Sequence, residues 1–240
     1  MKERFWEIDF LRGLAIIKML IFNYSFALYY LGIFVFEAGL MFQGWAAAVF
    51  VFLVGLSLTL SYSRVKDWSR GKIFFKFLKR GLMVFGWGLV ITIITFILFP
   101  EAYIIFGVLH LIGVSIIMGQ FFLKYRRLNF FLGLLIIFLG LYMQSFRVNF
   151  PWLLWLGFVP KSLYSFDYFP ILPWFGYVLL GIFTGNTLYK NGKRTFKIKD
   201  LSSNIVIKPI SFLGRKSLYI YLLHQPILIL ILLLLGFKLF

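Results

Sequence analysis

The first apolar segment of the chain carries polar residues at spacings that suit chemistry inside a membrane. Asp9 precedes Arg12 by three positions, and Asn23 follows Arg12 by eleven. On a helix the first two residues lie one turn apart and can pair, whereas Arg12 and Asn23 share a face about 16 Å apart. A cation at the centre of a membrane helix costs roughly 2.5–3.5 kcal/mol, which favours a protein interior, a wet cavity or a ligand around this face. The alternative is that Asp9 and Arg12 only mark the membrane entry point.

Three further ionisable residues interrupt apolar sequence later in the chain. We expect His110 about seven residues inside the outer end of its helix, Asp167 at the outer mouth, and His224 near the midplane. Pro226 removes a backbone donor close to His224 and favours a kink there. A single membrane histidine is explained equally well by an interhelical hydrogen bond. Two histidines together with Asn, Asp and Arg favour a polar interior.

Composition defines the class of protein that must position these residues. Hydrophobic residues make up 62% of the 240 residues and aromatic residues 22%, whereas soluble domains contain roughly 45–50% apolar residues. The first residues mix acids with bases and show no cleavage pattern, so we expect the first segment to remain as a span. The absence of cysteine excludes thiolate nucleophiles and disulfides. Only two histidines are present, so no metal site is predicted.

Apolar runs long enough to cross a bilayer recur along the chain. They occupy Asp9–Tyr30, Gln43–Tyr62, Arg80–Phe99, Tyr103–Leu123, Phe130–Phe146, Pro170–Tyr189 and Phe212–Phe237. The sequence therefore predicts an all-α, polytopic membrane helix bundle with about seven transmembrane helices, organised as one domain over residues 1–240. Aromatic residues and prolines within Arg147–Phe169 favour an interfacial or re-entrant segment on the outer face.

Basic residues concentrate in alternate connections between these runs. They fall within Arg64–Lys79, Lys124–Arg127 and Lys190–Lys208, and the other connections are nearly free of Lys and Arg. The positive-inside rule then predicts a multi-pass protein of the plasma membrane with a cytoplasmic N-terminus and an outer C-terminus. Topology explains most of the +17 net charge without nucleic acid. The remaining charge can attract an anionic cytoplasmic ligand.

Several short motifs keep the order and membrane placement found in a known family. They are Arg12–Ala15 with Asn23, Phe50–Gly55, Gly107–Leu109, and Leu213–Gly214 through Pro226. With them the chain resembles prokaryotic members of the heparan-α-glucosaminide N-acetyltransferase catalytic-domain family, within the transmembrane acyltransferase superfamily. The resemblance implies that an acyl group, acetyl in the simplest case, passes from cytoplasmic acyl-CoA to an amine or hydroxyl of an extracytoplasmic acceptor such as a sugar. Asn23 stands where the O-acyltransferase branch of the superfamily has a His.

One departure from the family concerns the connection between the first two spans. Eukaryotic members are similar in carrying a His there, whereas Ser25–Gln43 offers only Glu37 and Gln43. The base of the reaction must therefore be replaced or absent. The chain also lacks the additional spans of the lysosomal members, which argues against an identical substrate.

Acyl transfer requires a base for the acceptor proton and donors for the thioester oxyanion. We assign His110 as the base. Asp167 is assigned either to hold the tautomer of His110 or to bind the acceptor. Asn23 is assigned as a hydrogen-bond donor to the thioester carbonyl. Acyl-CoA phosphates and pantetheine are assigned to Arg12, Lys79, Arg80, Arg215, His224 and Gln225. Membrane lipids and a second copy of the chain complete the expected partners.

Two other classes of function remain open at the level of sequence. A small-solute transporter also places polar residues inside a helix bundle, but paired broken helices in corresponding halves, which often mark transporters, are not evident. A non-catalytic membrane binding protein would explain the missing His between the first two spans. Binding of acyl-CoA distinguishes the acyltransferase from both.

Overall fold

Helices form most of the chain in a computed structural model that describes residues 4–30, 32 and 43–235. The helices are α1 Trp6–Tyr30, α2 Gln43–Ser63, α3 Arg70–Leu98, α4 Val108–Gly119, α5 Arg126–Met143, α6 Ile171–Leu188, α7 Ile207–Arg215 and α8 Ser217–Leu234. Short 3-10 helices cover Gln120–Phe122, Leu154–Leu156 and Lys190–Gly192. Two short parallel strands, β1 Arg147–Val148 and β2 Val159–Pro160, pair with each other.

Four of the helices in the described part of the chain are long and apolar enough to cross a membrane. They are Ala46–Ser63 within α2, together with α3, α5 and α6. Shorter apolar helices occupy Val108–Phe122 and Ser217–Leu232. These helices support the prediction of an all-α membrane protein. The total of seven spans and the orientation of the termini stay predictions.

Three helix boundaries differ from those predicted. α3 begins at Arg70 rather than at Arg80, so part of the predicted basic loop is helical. α4 begins at Val108, which places His110 in its first turn rather than seven residues inside the helix.

The predicted last span contains the end of α7 and all the described residues of α8. The two helices are separate because the backbone turns at Lys216. The N–H of Lys216 donates to the carbonyls of Phe212 and Leu213.

The chain divides into two compact units, one formed from Met1–Phe50 with Ile198–Phe240 and the other from Val51–Lys197. In the first unit, two glycines let α7 lie directly on α1. A Cβ atom on Gly13 would meet the carbonyl of Ile210, and a Cβ on Gly214 would meet the carbonyl of Asp9. The two backbones therefore approach as closely as small residues permit. A single domain stays a prediction.

In the second unit, glycines make the same kind of contact between α2 and α6. A Cβ on Gly55 would meet the carbonyl of Val178, and one on Gly181 would meet the carbonyl of Phe52. α3 approaches α4 in the same way, since Gly81 lies against the carbonyl of Gly113. These contacts fix the helices that carry the candidate residues of this unit.

The segment between α5 and α6 is ordered against the start of α4. The amide of Phe166 donates to the carbonyl of Ala102 at 3.1 Å, and the amide of Phe169 donates to that of Phe106 at 2.9 Å. Because backbone groups before α4 bond this segment, helix formation there begins only at Val108. The interfacial placement of Arg147–Phe169 stays a prediction.

Candidate functional site

An arginine cluster lies where α1 begins and α7 ends, in the first unit. Arg12 Nη1 pairs with Asp9 Oδ1 at 3.2 Å, as the three-residue spacing predicts. Asp9 also interacts electrostatically with Arg4 and Arg215. Three guanidinium groups thus interact with one carboxylate. Guanidinium groups bind phosphate through paired, charge-assisted hydrogen bonds.

Asn23 lies on the same helix as Arg12, as predicted, and its side-chain amide has two partners. Nδ2 donates to the carbonyl of Met19 at 2.9 Å. Oδ1 accepts a hydrogen bond from Nε2 of Gln225 at 3.3 Å. The structure therefore brings Asn23 and Gln225 together, although they are far apart in sequence.

His224 belongs to the same group of polar residues. Its side chain is buried, with 5% of its surface exposed. Nδ1 lies 2.6 Å from the carbonyl oxygen of Tyr221. Because a carbonyl can only accept, Nδ1 carries the proton and the ring's lone pair is on Nε2. The hydroxyl of Tyr24 donates to the carbonyl of His224 at 3.4 Å, which adds a second link between α1 and α8.

His110 lies in the second unit, in the first turn of α4, and its ring is 2% exposed. The amide of Gly107 donates to Nδ1 of His110 at 3.2 Å. That bond places the lone pair on Nδ1 and the ring proton on Nε2, which lies 3.5 Å from the hydroxyl oxygen of Thr92. The ring also stacks on Phe106 and meets Phe85 edge to face. In this arrangement His110 caps the start of its own helix.

Asp167 caps the same helix end. Its Oδ2 accepts a hydrogen bond from the amide of Val108 at 3.0 Å. A Cβ on Gly107 would overlap that oxygen, so the approach of the carboxylate depends on the missing side chain. Asp167 and His110 thus both bond backbone amides at the start of α4. The role of Asp167 toward the His110 tautomer or the acceptor stays a prediction.

The basic residues of α3 have two kinds of environment. Lys79 and Arg80, assigned from sequence to acyl-CoA, are exposed. Lys76 instead donates to the carbonyl of Ser61 at 3.1 Å, near the C-terminal end of α2. A cation at a helix C-terminus offsets the negative end of the helix dipole. Lys76, a residue of the predicted basic loop, therefore stabilises the end of α2.

Tyr168 is a half-buried titratable group in the segment before α6. Its hydroxyl donates to the carbonyl of Leu154 at 2.8 Å. Burial raises the pKa of Tyr168 to about 12, although the positive charge of Arg147 acts in the opposite direction. The phenol therefore stays protonated through neutral pH and holds the segment together.

Sequence reasoning overlooked Tyr24, Tyr221 and Thr92, which contact the candidate histidines. The contact with Tyr221 could have been predicted from the sequence, because a residue three positions before a helical His lies on the same face of the helix. Glu37, considered as a substitute base, lies outside the described residues. Within residues 4–30 and 43–235, no group of three His, Asp or Glu side chains is arranged to hold a metal ion.

Comparison with known proteins agrees with the resemblance carried by the motifs. A family model described as heparan-alpha-glucosaminide N-acetyltransferase, catalytic, matches residues 4–226. The match includes most of both units and every candidate residue. No curated protein and no solved structure gives a significant match.

Proposed function

Since the chain belongs to the heparan-α-glucosaminide N-acetyltransferase catalytic family, we propose that it acetylates an amine or hydroxyl of an extracytoplasmic acceptor with cytoplasmic acetyl-CoA. The acceptor class that we favour is a sugar, following the family's description. The observation that carries the proposal is the polar group Asn23, His224 and Gln225 on two helices of one unit. It supplies both a carbonyl donor and a proton acceptor.

The arginine cluster provides the proposed site for the phosphates of the donor. Asp9 holds Arg12 in place, and Arg4 and Arg215 add positive charge around the same carboxylate. A phosphate gains charge-assisted hydrogen bonds from such a cluster. Lys79 and Arg80 belong to the second unit, and their assignment to acyl-CoA stays a prediction from sequence. Asn23 lies about 16 Å farther along α1 than Arg12, in the direction in which we propose that the acyl-pantetheine arm extends.

Asn23 is the proposed donor to the carbonyl oxygen of the thioester. One N–H of its amide donates to Met19, and the other N–H of Nδ2 supplies the second donor. The carbonyl of Met19 fixes which end of the amide is the nitrogen, because a carbonyl can only accept, and Gln225 donates to the oxygen at the other end. A donor held in place before reaction stabilises the developing oxyanion without reorganisation.

We assign the proton transfer to His224 in place of His110, on the basis of their hydrogen bonds. The lone pair of His224 is on Nε2, because Nδ1–H donates to Tyr221. The lone pair of His110 accepts from the Gly107 amide, and a base role would require that bond to break. As the acceptor attacks the carbonyl, Nε2 of His224 takes its proton. The C–S bond then breaks and the departing thiolate of CoA receives that proton.

The test compares His224→Gln with His110→Ala in the purified full-length protein. Glutamine retains an N–H for the carbonyl of Tyr221 but cannot take a proton at neutral pH. We expect His224→Gln to bind acetyl-CoA nearly normally and to lose about 10²–10⁴-fold in turnover. We expect His110→Ala to lose stability while its folded fraction keeps most of its turnover. The reverse pattern would restore His110 as the base.

A second measurement tests donor binding separately from proton transfer. Binding of acetyl-CoA should weaken with Arg12→Gln and with rising salt, because exposed charge pairs are screened over roughly 8–10 Å. Lys161→Gln removes an equal charge from the segment before α6 and serves as control. Equal binding by all three proteins at low and high salt would remove the arginine cluster from the donor site. Absence of acetyl-CoA binding would favour a transporter or a non-catalytic protein.

A further inference from the structure

α7 has two faces of different character within the first unit. On one face, Ile210 and Gly214 lie against the backbone of α1, and the hydroxyl of Ser211 donates to the carbonyl of Trp6 at 3.4 Å. On the other face, Lys208 and Phe212 are both exposed and lie one turn apart. The contact with α1 therefore fixes which side chains of this short helix point away from the protein.

The turn that leads into α7 presents two more apolar side chains to the exterior. Oδ1 of Asn204 accepts hydrogen bonds from the amides of Val206 at 2.9 Å and Ile207 at 3.2 Å. This capped turn holds Ile205 with 88% of its surface exposed and Val206 with 60% exposed. Phe212 on the next helix face is 51% exposed. A hydrogen-bonded turn that exposes adjacent β-branched residues suggests that something apolar covers them.

Basic residues flank these apolar side chains in the sequence. Between residues 198 and 216 the sequence contains Lys199, Lys208, Arg215 and Lys216, and its single acid is Asp200. The ammonium group of Lys216 lies 5.6 Å from the ring centre of Tyr219, which is 63% exposed. Apolar side chains bordered by cations match the boundary between acyl chains and anionic headgroups.

We propose that Ile205, Val206, Lys208, Phe212 and Lys216, here called the α7 surface, form a binding site for anionic phospholipid at the membrane boundary. Ile205 and Val206 enter the acyl layer, and Lys208 and Lys216 contact phosphate groups. The inference is independent of acyl transfer. A second copy of the chain is a poorer occupant, because a symmetric contact would place these cations opposite each other.

The absence of cysteine from the chain allows one label to report on this surface alone. Ile205→Cys carries an environment-sensitive fluorophore in lipid nanodiscs, and Ser203→Cys, at an exposed polar position of the same loop, is the control. We expect doxyl-labelled lipid to quench the label at 205 and aqueous iodide to quench the label at 203. Equal quenching of both labels by iodide, with none by lipid, would overturn the proposal.

The charge component is tested with the same label. Doxyl-phosphatidylglycerol should quench the label at 205 at a lower mole fraction than doxyl-phosphatidylcholine. Lys208→Gln and Lys216→Gln should each reduce that preference roughly fivefold, since a cation near an anionic surface contributes on the order of that factor. Lys193→Gln and Lys197→Gln serve as charge-matched controls. Equal quenching by both lipids, or crosslinking of Ile205→Cys between two copies, would contradict an anionic lipid site.

Discussion

Nε2 of Gln225 on α8 donates a hydrogen bond to Oδ1 of Asn23 on α1 at 3.3 Å, and the two residues are 202 positions apart in sequence. The bond adds a second contact to an amide whose nitrogen already donates to the carbonyl of Met19. It joins α8 to the face of α1 that begins at Arg12. Since His224 precedes Gln225 directly, the same turn of α8 holds the proposed proton acceptor and the residue that orients the proposed carbonyl donor.

The first prediction concerns this pair. Asn23→Ala should lower turnover about 10²–10³-fold, the usual effect of removing one oxyanion donor, with little change in acetyl-CoA binding. Gln225→Leu should lower turnover only about fivefold, because it removes one hydrogen bond of about 1 kcal/mol that acts through Asn23. Steady-state kinetics with separate kcat and KM values provide the measurement.

A double variant distinguishes positioning from an independent role of Gln225. In the Asn23→Ala background, Gln225→Leu should add almost nothing, because the amide it orients is gone. Gln144→Leu makes the same chemical change at an exposed position in the second unit and should leave turnover unchanged. Fully additive losses in the double variant would show that Gln225 does not act through Asn23.

The second prediction concerns the contact of α7 with α1. Gly214→Ala places a methyl group against the carbonyl of Asp9, so the helices must separate. We expect the free energy of unfolding to fall by about 1–3 kcal/mol, the usual effect of overpacking. Gly86→Ala is the matched control, since its Cβ would meet nothing within 4 Å and alanine favours helix over glycine by about 1 kcal/mol. Equal changes in thermal stability for both variants would contradict the role of this contact.

Local patterns in the sequence predicted the features that depend on local geometry. The ion pair of Asp9 with Arg12 follows from their spacing within one helix, and the apolar runs predicted the main helices. The predicted start of α3 was wrong, because a basic loop before Arg80 was inferred from charge alone. Lys and Arg are good helix formers, so positive charge predicts the side of the membrane and not the local structure.

Long-range contacts account for what the sequence could not predict. His110 was placed inside its helix because apolar residues precede it, yet the backbone before α4 pairs with the segment around Phe166. The cap that Asp167 makes on Val108 joins residues 59 positions apart. The orientation of Asn23 by Gln225 is likewise a tertiary contact. No periodicity reports which nitrogen of a His faces a carbonyl, and that detail determined our assignment of the proton acceptor.

The third prediction concerns alkaline pH. Burial raises the pKa of Tyr168 to about 12 from an ordinary value of 10.0, so the folded protein keeps this proton while the unfolded chain loses it. The contribution of Tyr168 to stability is therefore complete below about pH 10 and falls as the pH rises toward 12. Tyr168→Phe lacks the hydroxyl, so the stability difference between wild type and this variant should shrink over that range. Tyr164→Phe, at a position 62% exposed, removes the same kind of hydroxyl and is the matched control. A difference that stays constant with pH would contradict the raised pKa of this half-buried phenol.

The fourth prediction concerns membrane orientation, on which the sidedness of acetyl transfer depends. The chain has no cysteine, so Lys66→Cys, Lys193→Cys and Ser162→Cys each introduce one exposed thiol. Because Lys66 and Lys193 lie in the predicted basic loops, a membrane-impermeant maleimide should label those variants only after the cells are permeabilised. Ser162→Cys, in the predicted outer segment, should be labelled in intact cells and controls for access of the reagent. Labelling of the Lys66 or Lys193 variant from outside would reverse the membrane map, and the arginine cluster would then face away from cytoplasmic acetyl-CoA.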